Sequence, residues 1–163
     1  LIGAGGTGSK VLTALLEMNY SLNELGHAGL AVRLWDDDIV TDANLGRQRF
    51  AECEVGLYKS VALINRSNRW AGTYWKAETT KAVANLPFVT DEYGELLKQS
   101  EENDNTPSCS LAEALDKQDL YINPSLAQMG CSLLWGLFRN GMTENKGFFH
   151  NLANFTTQPI KVA

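Results

Sequence analysis

Four glycines near the start of the chain stand where anion chemistry would need them. "LIGAGGTGSK" opens at Leu1, and Gly3, Gly5 and Gly8 satisfy G-x-G-x-x-G. Glycine permits positive φ and close backbone approach. A helix after such a loop aims free N–H groups and the positive end of its dipole at an anion. Gly6 adds a further glycine, and Thr7 and Ser9 bring hydroxyls. Alone, the pattern is equally that of a tight strand-to-helix turn. The apolar Leu1 and Ile2 before it and the helical pattern after it supply the context of a phosphate loop.

The second cluster is acidic. Asp36, Asp37 and Asp38 directly follow Trp35 at the end of an apolar run. In a nucleotide-binding α/β unit, an acid at the end of the second strand accepts hydrogen bonds from ribose hydroxyls. Asp36 has that place. The interval from Gly8 exceeds the usual ~20 residues, and the polar stretch 21–29 accounts for the excess. The plain alternative is three solvated carboxylates. Next come Arg47 and Lys59, in "TDANLGRQRFAECEVGLYKS". They are candidate phosphate clamps, Arg by two-pronged hydrogen bonding and Lys as a point charge. As surface cations they would do neither. A dehydrogenase holding NAD would need little cationic charge here. An enzyme transferring the adenylyl group of ATP needs it to stabilise charge on the phosphates, usually with Mg²⁺.

These residues must be positioned by ordinary elements. Val11, Leu12, Ala14, Leu15 and Leu16 predict a helix over 8–20, followed by a loop over 21–29. "LAVRLW" at 30–35 predicts a buried strand. Residues 56–68 read as a helix and "GTYWKA" at 72–77 as a short strand. Residues 98–108 read as a charged loop, 111–120 and 124–139 as helices. Asn123 suits the cap of the last helix, Pro124 its first turn and Gly141 its end. "GFFHNL" and "QPIKV" are strand candidates. Loop–helix–strand begins a Rossmann-like α/β fold, a doubly wound sheet with helices on both faces. Nothing between Lys76 and Phe88 reads as the apolar strand due after the second helix. Residues are therefore expected to be missing near 77–88.

Composition sets the outer bounds. The chain has 163 residues, is 44% hydrophobic and 20% charged, and carries a net charge of −5. That predicts one domain over 1–163 with a core of useful size. The negative charge argues against nucleic acid as a partner. No run approaches the ~20 apolar residues that span a bilayer, so no membrane partner is expected. Leu1 is not a start methionine, and upstream residues are expected to have been lost. Cys53, Cys109 and Cys131 form no C-x-x-C pair, which leaves neither a disulfide framework nor a zinc site to expect. A reducing cytoplasm is the default compartment.

Four motifs, in order, resemble the ubiquitin-activating-enzyme superfamily, the ThiF/MoeB adenylyltransferases. They are "GAGGTG" at 3–8, "DDDIV" at 36–40, "ANLGRQ" at 43–48 and "GLYK" at 56–59. The later stretches "PSCSLAEALDKQDLYINPSLAQMGCSLLWGLFRNG", "GFFHNL" and "TQPIKV" resemble the ThiF-family protein of PRTRC gene systems. That protein occurs beside a ubiquitin-like and a metalloprotease-like protein. The resemblance implies that Gly3, Gly5, Gly6 and Gly8 hold phosphate and that Asp36 and Asp38 belong to the nucleotide site, Asp36 on the ribose. Asn44, Arg47, Gln48 and Lys59 would line the triphosphate. It implies ATP and Mg²⁺ as cofactors, a ubiquitin-like C-terminus as substrate and a homodimer. The family's magnesium-binding aspartate has no counterpart, so no metal ligand is assigned.

Cys109 precedes the 111–120 helix, whose N-terminus would lower a thiol pKa. Some relatives carry a nucleophilic cysteine in a comparable loop, and a thioester role is the corresponding expectation here. Cys131 falls in an apolar helical pattern and is expected in the core. His27 and His150 have no ligand-like spacing. Trp70, Trp75 and Trp135 are expected to pack, and Trp35 to border an adenine pocket or fill a strand. The leading expectation is ATP-dependent adenylation of a ubiquitin-like carboxylate. The rivals are an NAD-dependent oxidoreductase and a non-catalytic nucleotide-binding scaffold.

Overall fold

The computed structural model describes residues 1–81 and 119–162. Its elements run α1 (Gly6–Glu24), β1 (Arg33–Trp35), α2 (Lys59–Ala71), β2 (Lys76–Glu78), α3 (Ile122–Asn140), β3 (Asn145–Asn151) and β4 (Thr156–Lys161). The fold is α/β and Rossmann-like. Residues 1–3 lie parallel to β1: Trp35 N–H donates to Leu1 O at 3.0 Å, and Gly3 N–H to Trp35 O at 2.8 Å. On its other side β1 pairs β2, also parallel, with Leu34 opposite Ala77. Parallel neighbours need a crossover connection, and α1 and α2 supply the two. β3 and β4 form a separate antiparallel hairpin.

The apolar spacing explains where the helices sit. Leu12, Leu15, Leu16, Met18 and Leu22 of α1 are buried with Leu34, Ala62, Leu63, Ile64 and Trp75 in one core. Leu22 lies one turn beyond Met18 and is buried, so α1 continues to Glu24, into the stretch expected as loop. α2 begins at Lys59 rather than at residue 56. Gly56 has φ of 89°, a left-handed conformation incompatible with a helical start. β2 overlaps the end of the short strand expected at 72–77, shifted to Lys76–Glu78, and takes the place after α2 where the sequence shows no apolar strand. It is polar and only three residues long, so hydropathy alone did not set its bounds. Of the suspected gap, residues 82–88 lie outside the described residues, as do the 98–108 loop and most of the 111–120 helix.

α3 corrects one expectation and meets another. Its N-cap is Tyr121, and Asn123 lies inside the first turn with its side chain used elsewhere. Gly141, at φ of 74°, ends the helix as expected. Trp75 packs as expected, and its Nε1–H donates to Leu30 O at 2.7 Å. Trp70 does not: it is exposed on the outer face of α2. Trp135 is partly buried against the core, and the Arg139 guanidinium lies 5.8 Å from its ring centre.

Candidate functional site

The glycine loop leaves the first strand segment at Gly3 and enters α1 at Gly6. Gly3 has φ of 86°, which L side chains rarely adopt. A Cβ at Gly8 would lie 1.9 Å from Gly3 O, so the helix start and the strand end touch backbone to backbone. Only glycine allows that approach. The first-turn amides of α1 have no acceptor within the helix, as at every helix start. They are the groups an anion would meet.

Asp36 stands beside this loop. Its Oδ2 accepts the Ala4 N–H at 2.5 Å and its Oδ1 accepts the Asp38 N–H at 3.0 Å. The Ala4 bond ties the acid to the loop across the sheet. The Asp36 backbone is fixed too: its N–H donates to Glu78 O at 3.0 Å, and Ser60 Oγ donates to its O at 3.0 Å. A carboxylate oxygen has more than one acceptor site, so Asp36 retains capacity for a hydroxyl donor. Ile2, Gly3, Trp35, Asp36, Asp37 and Thr80 border an open cleft of about 300 Å³. It lies at the carboxyl ends of the parallel strands, where α/β sheets bind ligands. Trp35 both borders this cleft and packs in its strand, which keeps both readings of that residue.

Lys59 reaches the aspartates through an antiparallel contact between segments. Val40 N–H donates to Leu57 O at 2.8 Å and Lys59 N–H to Asp38 O at 2.9 Å. Lys59 Nζ then meets Asp38 Oδ2 at 2.8 Å. The Lys59 side chain is 9% exposed and that of Asp38 69%. The ammonium is thus held by one acid whose other faces are wet. An incoming phosphate would compete with Asp38 for it.

The stretch between is a compact turn. Asn44 Oδ1 accepts from Thr41 N–H at 2.9 Å and from Thr41 Oγ1 at 3.2 Å. Asn44 is buried and shapes the turn. Arg49 N–H donates to Ser9 Oγ at 3.3 Å, which sets this segment against the first turns of α1. Gln48 is buried, and neither its Oε1 nor Arg47 Nε has a hydrogen-bond partner. Unpaired buried polar atoms are rare and call for a ligand, water or strain to explain them. Lys10 of α1 lies within electrostatic reach of Arg49. Burial pushes its pKa down, and the Arg49 charge adds to the effect.

The structure therefore brings Gly3, Gly5, Gly6, Gly8, Asp36, Asp38 and Lys59 to one end of the sheet, with Asn44, Arg47 and Gln48 on the adjoining turn. Cys109 lies outside the described residues. Cys53 is exposed, and Cys131 is buried as expected, with burial raising its thiol pKa and Glu17 adding to the shift. His27 is exposed, and His150 Nδ1 lies 2.9 Å from Thr157 Oγ1 in the hairpin. Among the described residues no cluster of three or more His, Cys, Asp or Glu is placed to hold a metal ion, and no helix there is long and apolar enough to cross a membrane. Asn123 and Ser60 joined the site unannounced. Asn123 approaches from 116 residues away, and no local pattern marks such a contact.

Fold and loop define a Rossmann-like unit with a glycine-rich turn at its switch from strand to helix. No family model and no curated protein matches the chain. Solved structures similar to it include tRNA N6-threonylcarbamoyladenosine dehydratase, TcdA, of E. coli in complex with AMP. That structure is 24% identical over 50% of this chain and 31% of its own, with a TM-score of 0.42. The complex of the same E. coli enzyme with ATP is 19% identical over 67% and 40%, also at 0.42. A further TcdA structure is 18% identical over 86% and 44%, at 0.40. The chain spans less than half the length of each. The α/β assignment rests on the strands and helices described above.

Proposed function

We propose that this chain is an ATP-dependent adenylyltransferase of the ThiF/MoeB type, acting on the C-terminal carboxylate of a ubiquitin-like protein. The observation that supports the reading is the Ala4–Asp36 hydrogen bond, which sets Asp36 beside the glycine loop at the strand ends. The four ordered motifs support it, and so do the two cations on the adjoining segments.

The chemistry asks little of the protein beyond position and charge. A carboxylate oxygen of the partner attacks the α-phosphorus of ATP. The bond from that phosphorus to the bridging oxygen breaks, and pyrophosphate leaves. The glycine loop seats phosphate on free amides, and Asp36 accepts a ribose hydroxyl. Arg47 and Lys59 would offset the charge that builds on the phosphates. Lys59 must first exchange Asp38 for phosphate. Mg²⁺ commonly accompanies ATP, but the described residues form no metal cluster and none is assigned to it. The closer resemblance to the PRTRC-system protein and a homodimeric state belong to the same proposal. So does a thioester at Cys109.

The test is ATP–pyrophosphate exchange with a ubiquitin-like partner. Exchange that requires the partner and disappears in Arg47→Ala supports adenylation. NAD(H) binding without exchange would replace it with the oxidoreductase reading. ATP binding without exchange would leave a nucleotide-binding scaffold.

A further inference from the structure

We infer that Asn123 is a positioning residue for the glycine loop, holding the loop in its anion-binding shape from the far end of the chain. The inference rests on the nucleotide reading of that loop. Thr7 Oγ1–H donates to Asn123 Oδ1 at 2.7 Å. Asn123 is 7% exposed and the bond is partly buried. A Cβ at Gly6 would come within 2.4 Å of Asn123 Nδ2. The carboxamide therefore occupies the space a side chain at Gly6 would need.

The placement gives the contact its role. Gly6 and Thr7 are the first residues of α1, where the free amides sit. Asp36 holds the strand side of the loop through Ala4 N–H, and Asn123 holds the helix side through Thr7. Two side chains from separate elements thus fix the loop at both ends. α3 packs along α1 and projects Asn123 from its first turn, which gives the clamp a stiff base. The chemistry of the side chain matters as well. A carboxamide accepts the hydroxyl while staying neutral. A carboxylate would accept it equally well but would set negative charge beside an anion site.

Three variants separate these roles: Asn123→Ala, Asn123→Asp and Thr7→Val. ATP affinity is measured by titration calorimetry, amide exchange at Ser9 by NMR in the nucleotide-free chain, and folding by thermal unfolding. The Ser9 amide reports loop order because it donates to Gly5 O at 3.0 Å. Asn123→Ala and Thr7→Val should each weaken ATP about tenfold, the worth of about one hydrogen bond, and speed exchange at Ser9. The double variant should bind no worse than the weaker single. Asn123→Asp should keep Ser9 protected yet bind ATP more weakly than Asn123→Ala. The inference is overturned if Ser9 exchange is unchanged in Asn123→Ala, or if Asn123→Asp binds ATP like the parent. If the parent itself binds no ATP, the nucleotide reading fails, while Ser9 exchange still decides the positioning role.

Discussion

Replacing Gly8 by alanine tests the backbone contact on which the loop is built. The added Cβ would sit 1.9 Å from Gly3 O and 2.8 Å from Gly3 C. Both are backbone atoms, so no flexible side chain can yield. Either α1 moves off the loop or Gly3 does, and Gly3 is bonded to Trp35 O in the sheet. Overpacking of this kind costs about 3 kcal/mol, the upper end of the usual range. For a chain of this size each kcal/mol shifts Tm by roughly 2–4 °C, so the midpoint should fall by roughly 6–12 °C. Gly5→Ala is the matched control. Its Cβ meets nothing within 4 Å, and its Tm should stay within about 2 °C of the parent. The assay is differential scanning calorimetry of both variants, followed by ATP titration at a temperature where both are folded. Gly8→Ala should lose ATP binding beyond what unfolding explains, because displacing α1 also displaces its amides. Equal melting of the two variants would refute the close approach.

Asp38→Asn should destabilise the fold by about 2 kcal/mol, between the limits for surface and buried pairs, because the Lys59 ammonium is left nearly buried with a neutral partner. Urea unfolding checks it. Arg66→Met should cost about 1–3 kcal/mol in the same assay, since Glu54 is buried and Arg66 Nη1 meets its Oε2 at 3.0 Å. Iodoacetamide at pH 8 should label Cys53 quickly and Cys131 only on unfolding, as peptide mass spectrometry will show. The Cys131 thiol is raised in the folded chain. Its contribution to stability is therefore complete below the unfolded value of about 8.5 and is lost as pH climbs from there through the folded value. Cys131→Ala should show a smaller loss of urea midpoint than the parent between pH 7.5 and 9.5.

The sequence by itself determined the elements that local rules govern. Apolar residues at helical spacing placed α1, α2 and α3 to within a few residues. The glycines announced a tight turn, and an acid after an apolar run announced Asp36. These signals are local because backbone sterics and periodic burial act over a few residues. Only the tertiary structure decided the rest. A short strand was legible over 72–77, but β2 is polar and lies at Lys76–Glu78, and pairing with β1 rather than hydropathy sets those bounds. Lys59 read as a phosphate clamp or a surface cation, and only the contact between residues 38–40 and 57–59 set it on Asp38. Asn123 looked like a helix cap until the packing of α3 on α1 carried it to Thr7. Contacts between distant segments form only when the chain closes on itself, and a one-dimensional pattern holds no record of which groups then meet.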